Sequence, residues 1–172
     1  MSKAHPQIDR LNRLRRRLCW ESPVLAPGLA ALQVRETKLR PTAAVSGRGV
    51  LYANVDFFAA KKDSEANFVI LHELMHVLLR HHERLSGRIH FIWNIAADLV
   101  INEAIPALGL NEMTKSEIVT VPKDALWRER DTPWIPAGLT VEAVYDHLMQ
   151  KAEEEIQKLQ GEAPGAGCGV VE

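Results

Sequence analysis

Residues 63–85 read DSEANFVILHELMHVLLRHHERL, and most of what the chain does follows from this stretch. Phe68, Val69, Leu71, Leu74, Met75, Leu78 and Leu79 recur at helical spacing, with Asp63 or Ser64 as a natural cap and Glu65 in the first turn. The spacing predicts a helix from about Asp63 to Leu85, ended by Ser86-Gly87. Inside it lies His72-Glu73-Leu74-Met75-His76, the pattern HExxH. Residues four apart share a helix face, so both imidazoles can reach one ion. Glu73 lies about 100° round the helix from His72, where it can act on water beside the ion instead of binding the ion itself. The composition predicts only roughly 0.02 such matches by chance.

Working outward, residues 90–107 form a second helix that is apolar on nearly every side. Asn94, Asp98 and Asn102, spaced i, i+4, i+8, make its one polar stripe. A carboxylate in such a helix needs a cation or several donors. Asp98 is therefore the preferred third ligand, against the alternative that it orients a metal-bound histidine from behind. Glu103 and His82 are the other candidates. His82 would complete HExxHxxxxxH, but Leu79 stands where that pattern requires a glycine. On a continuing helix His82 would face away from the ion. His81 and His82 are read as a polar helix end, and Asn94 and Asn102 as partners of backbone or loop.

Before the metal helix, Ile8, Leu11, Leu14 and Leu18 mark a basic amphipathic helix within residues 1–21, and residues 24–32 a short second helix interrupted at Pro27-Gly28. Residues 32–45 look extended, 46–49 (SGRG) read as a turn, and Val50–Val55 as a returning strand. Residues 110–138 look irregular, and Thr140 caps a last helix reaching about Leu159. The expected organisation is one domain over residues 1–160, followed by a flexible Gly-rich tail at 161–172. The four tryptophans (Trp20, Trp93, Trp127, Trp134) are read as core or loop anchors.

HELMHVLLRHH followed by WNIAADLVIN resembles the metallopeptidase domain of bacterial proteins that often carry a von Willebrand A-like domain, a group of zincin type. The hairpin TAAVSGRGVLYANVDFF and the segment GLTVEAVYDHL extend the resemblance over about residues 20–150. It implies an α+β, zincin-like fold, mostly helical, with a small mixed or antiparallel sheet whose edge strand lies over the HExxH helix. It implies His72 and His76 as ligands, Glu73 as catalytic base, and the Asp98 region as the remaining metal contact. The edge strand, here taken as Val50–Val55, would pair with an extended substrate. Tyr52 and His90 are conceivable oxyanion stabilisers, while the side chains of Tyr52 and Asn54 read as ordinary strand residues.

The reading is thus a zinc-dependent metallopeptidase with one Zn²⁺, acting on protein or peptide substrates. The alternative is a zinc-containing binding or regulatory module with lost or restrained hydrolysis. A partner ATPase or a von Willebrand A-like protein is a conceivable associate. The chain has 172 residues, with 21 Lys plus Arg against 22 Asp plus Glu, which argues against nucleic acid as the main partner. Two cysteines and no signal-peptide pattern predict a reduced, cytoplasmic setting. The apolar stretches are read as broken by polar residues short of a membrane span.

Overall fold

The N-terminal amphipathic pattern becomes α1 (Pro6–Glu21), whose Ile8, Leu11, Leu14 and Leu18 are all buried. The computed structural model describes residues 5–161. The expected Gly-rich tail, apart from its first residue, lies outside them. The basic side chains of α1 divide into two groups. Arg10 donates to the carbonyls of Phe58 and Lys61 and to Asp63, and Arg15 to the carbonyls of Leu29 and Ala30. Arg13, Arg16 and Arg17 face solvent. α2 (Ala26–Ala31) carries Pro27 in its first turn, where the missing N–H would have no partner.

Three short strands follow: β1 (Gln33–Glu36), β2 (Ala43–Val45) and β3 (Val50–Ala53), in the spatial order β1-β3-β2. β3 runs parallel to β1 and antiparallel to β2, so the sheet is mixed. The expected hairpin is β2–β3, its turn closed by Gly49 at φ +74°, where the missing Cβ matters. The strand expected at the substrate edge, Val50–Val55, is instead the central one. Its N–H and C=O groups are taken on both sides, and the sheet's two edges belong to β1 and β2, of which β2 is the one beside α4. Asn54 leaves the strand and caps α3 (Val55–Ala59), accepting from the N–H groups of Asp56 and Phe57, an element that the strand reading missed.

The metal helix is α4 (Asp63–Leu78). Its cap residue is Lys62, one earlier than expected, and Glu65 accepts the Lys62 N–H. The helix ends seven residues before the expected Leu85. The second long helix is α5 (His90–Ala107). α6 (Leu110–Thr114) and α7 (Arg128–Asp131) are single turns within the otherwise irregular connection, and α8 (Val141–Gly161) closes the fold with Thr140 Oγ1 accepting from Ala143.

α5 separates two apolar cores. One gathers α1, α2, the sheet, α3 and α4 with Ile101 and Ile105 of α5. The other sets Trp93, Ala96, Ala97 and Leu99 of α5 against Val141, Val144 and Tyr145 of α8. This is why α5 is apolar nearly all round. The helical stretch His90–Thr114 is also long and apolar enough, by length and composition alone, to cross a membrane, which corrects the expectation that every such run falls short. In this structure it is the shared wall of the two cores. Of the tryptophans, Trp93 is buried as expected, but Trp20 is 87% and Trp134 50% exposed, so neither anchors a core.

Candidate metal centre

α4 and α5 pack side by side, and the polar stripe of α5 meets the histidine face of α4. His72 Nε2, His76 Nε2 and Asp98 Oδ1 form a triangle with edges of 3.0, 3.1 and 3.3 Å. Glu73, 9% exposed, stands beside them. The structure therefore brings together His72, Glu73, His76 and Asp98. Among the described residues, His72, His76 and Asp98 form the one group of three or more His, Cys, Asp or Glu side chains able to hold a metal ion.

The hydrogen bonds behind the rings decide which nitrogens are free. Asn102 Nδ2 donates to the Leu126 carbonyl at 2.7 Å, so its Oδ1 is turned to His72 Nδ1 at 2.8 Å. An amide oxygen can only accept, so His72 carries its proton on Nδ1 and presents a lone pair at Nε2. His76 Nδ1 meets His81 Nδ1 at 3.1 Å. His81 is buried, and that burial, with the neighbouring His76 and Arg84, lowers its pKa to about 4, so it is neutral. In the tautomer where neutral His81 accepts at Nδ1, His76 donates there and keeps a lone pair at Nε2 as well. Two ring lone pairs and a carboxylate oxygen then point at one spot. Such a set is repulsive unless a cation or a proton lies among them. A tetrahedral ion with ligand bonds of about 2.0–2.1 Å has ligand–ligand edges of about 3.3 Å. The donor set and its spacing fit a metal ion.

Without an ion, protons fill the same place, and the rings then donate from Nε2 to Asp98. Burial would raise the Asp98 carboxyl, but hydrogen bonds from His72 and His76 outweigh it and hold it down at about 2. Burial depresses the His72 imidazole, yet the hydrogen bond and charge of Asp98 carry it above its ordinary value. Glu73 moves the other way. Desolvation raises it, against the lowering pull of His72, His76 and a hydrogen bond from the Val45 backbone.

Of the other side chains singled out in the sequence, Glu103 is engaged by Arg128, away from the triangle. His82 also stays outside. Its ring lies against Gly47, where a Cβ would come within 2.4 Å, so it ties the hairpin turn to the segment after α4. Tyr52 projects from the outer face of β3 between buried Leu51 and Ala53. His90 and Asn94, like His82, line the cleft above the triangle. Sequence reasoning missed His81, which is buried against His76 and not at a polar helix end. It also missed that Asn102 serves a ring as well as a loop.

The cause of the His81 placement is the end of α4. The Arg80 N–H bonds the Val77 carbonyl, the His81 N–H bonds the His76 carbonyl, and Arg80 sits at φ +54°. This is a Schellman termination with arginine in the usual glycine place. It folds the residue after Arg80 back over the residue five before it, which puts one imidazole on the other. The Trp93 indole N–H then fixes the His81 carbonyl at 3.0 Å.

A family model described as "Putative metallopeptidase domain" matches residues 6–167. The chain belongs to that family. Searches of curated proteins and of solved structures found no match. For this member of the metallopeptidase-domain family, membership and the His72–His76–Asp98 group together point to a peptidase that uses a metal ion on a protein or peptide substrate.

Proposed function

We propose that the chain is a zinc-dependent metallopeptidase of zincin-like design. In this reading His72, His76 and Asp98 hold one Zn²⁺, and Glu73 is the general base. The observation that carries it is the triangle of two ring nitrogens and one carboxylate oxygen with a buried carboxylate beside it. Two neutral imidazoles and one carboxylate are a donor set suited to zinc, and three protein ligands leave a position open for chemistry. When bound, the ion acidifies a water and polarises the scissile carbonyl.

The chain's own groups do the rest. Glu73 accepts a proton from the attacking water, and its raised pKa suits a base that must later return that proton. It delivers the proton to the amine nitrogen as the C–N bond breaks. Asn102 and His81 keep the two rings from turning. β2 supplies the substrate's track. The Ser46 N–H bonds the Val50 carbonyl and the Asn54 N–H bonds the Thr42 carbonyl, so even-numbered residues of this segment pair with β3. Ala43 and Val45 therefore aim their N–H and C=O groups at the free edge; the Val45 N–H is given to Glu73, which leaves the Val45 C=O and both groups of Ala43 for an extended peptide to pair with. Of the two side chains considered for the oxyanion, His90 is the one in the cleft.

Metal analysis of the wild type beside Glu73→Gln tests the reading. The variant should keep its zinc and lose about 10²–10⁴-fold in turnover on a denatured protein substrate. Asp98→Ala should lower zinc occupancy, and His82→Ala should not. Wild-type protein that binds zinc and cleaves nothing would leave the binding-module alternative standing.

A further inference from the structure

The segment GLTVEAVYDHL, residues 138–148, gives no side chain to the triangle, yet the first turns of α8 that it forms are tied to it. Arg84, in the connection between α4 and α5, grips both carboxylate oxygens of Glu142, with Nη2 at 2.7 and 2.6 Å and Nε at 3.0 Å. Its Nη1 donates to the Leu79 carbonyl at 3.0 Å, at the end of α4. Near the start of α5, the Tyr145 hydroxyl accepts the Ile89 N–H at 3.0 Å. Arg88 bonds the Arg84 carbonyl and lies over the rings of Trp93 and Tyr145. α8 thus holds both ends of the connection 79–89, and His81 lies inside it.

We infer that Glu142 and Tyr145 are positioning residues of the metal centre: through Arg84 and the Ile89 backbone they hold the connection so that His81 stays behind His76. The inference rests on the metal-binding reading above. Its first support is how His81 is held. The residue is buried, its Nδ1 meets His76 Nδ1 at 3.1 Å, and its Nε2 has no hydrogen-bond partner among the described residues. Apart from the bond to His76 itself, no hydrogen bond orients the ring, so its place is set by the backbone that carries it. That backbone is pinned by Arg84 at the Leu79 carbonyl and by Trp93 at the His81 carbonyl. The second support is the residue between those two carbonyls. Arg80 sits at φ +54°, a conformation that an L-residue keeps only where its surroundings impose it. Its own side chain is largely exposed and pairs only with Glu83, so the restraint comes from the neighbouring bonds. The third is the quality of the tie. A two-pronged, charge-assisted pair fixes direction as well as distance, and a half-buried one is screened less than a surface pair.

The test is zinc affinity, by competition with a chelator, for wild type, Glu142→Ala, His81→Phe and the double variant, with thermal unfolding of each metal-free protein to show that it is folded. Glu142→Ala should weaken zinc about tenfold, the low end for a partner that acts from behind a metal-bound imidazole. His81→Phe keeps a ring in place and removes the acceptor. Adding Glu142→Ala to it should cost less than about twofold more, because the effect passes through His81. The same cost in both backgrounds, or no cost in either, overturns the inference and leaves the metal centre standing, even where Glu142→Ala lowers Tm. Tyr145→Phe removes one hydroxyl and enters the same cycle if Glu142→Ala does not fold, with the same pattern expected and the same outcomes overturning it. If wild type binds no zinc, the metal reading fails, and the inference is judged on the metal-free protein by the ¹⁵N shifts of the His76 ring. Shifts that move in Glu142→Ala support the tie from α8 to His76, and unchanged shifts overturn it.

Discussion

Asn102 spends both ends of its amide on the site: the oxygen accepts from His72 and the nitrogen donates to the Leu126 carbonyl. Because the loop fixes which way the amide points, the amide fixes which His72 nitrogen carries the proton. Asn102→Leu keeps the volume and removes both bonds. It should leave the helix folded and lower zinc affinity by about 10–100-fold, the usual cost of losing a partner behind a metal-bound imidazole, as read by titration against a competing chelator. Unchanged affinity would mean that the ring is held by packing alone. His72, Glu73, His76 and Asp98 were legible in the sequence because helical spacing places i and i+4 on one face and because an apolar helix makes a lone carboxylate conspicuous. The pairing of Asp98 and Asn102 with particular rings was not legible, since it depends on the relative rotation of α4 and α5.

At the scale of the element, the instructive case is the end of α4. The sequence carries no glycine between His76 and Ser86, and glycine is the usual mark of a left-handed termination. The helix nevertheless stops at Leu78, with Arg80 at φ +54°. An L-residue in that conformation costs about 1–2 kcal/mol, and glycine there costs about 0.5–1 kcal/mol in lost chain entropy. Arg80→Gly should therefore stabilise the protein by about 0.5–1 kcal/mol in urea unfolding, with zinc affinity unchanged because the His76–His81 contact survives. A loss of stability would show that the ion pair of Arg80 with Glu83 outweighs the backbone strain. The same rule explains the sheet. The β2–β3 hairpin was readable from its turn residues. Which strand lies at the edge was not, because β1 joins by a parallel pairing that leaves no local signature.

For the whole molecule, the decisive fact is that one helix serves two cores. Burying α5 on both sides leaves its polar stripe a single outlet, the seam with α4, and the packing thereby pushes Asp98 toward two imidazoles. That arrangement competes for protons as well as for metal. Without metal, the His72 imidazole is raised above 6.5 by Asp98, and Asp98 is lowered to about 2. The raised His72 stabilises the metal-free fold below pH 6.5 and ceases to do so as pH rises through its folded value. The lowered Asp98 stabilises it above pH 3.8, and that contribution fades as pH falls toward about 2. Between these limits a proton occupies the place of the ion, and above them the ion is unopposed. Zinc at 100 times its dissociation constant adds about 2.7 kcal/mol, which for a chain of this size corresponds to about 5–10 °C in Tm. The increment should be full at pH 8, shrink as pH falls through the raised His72 value, and be nearly gone at pH 5. Thermal unfolding with and without equimolar-excess zinc across that range measures it directly. An increment that stays constant down to pH 5 would show that the ion binds without displacing a proton, and would place it elsewhere than on His72, His76 and Asp98.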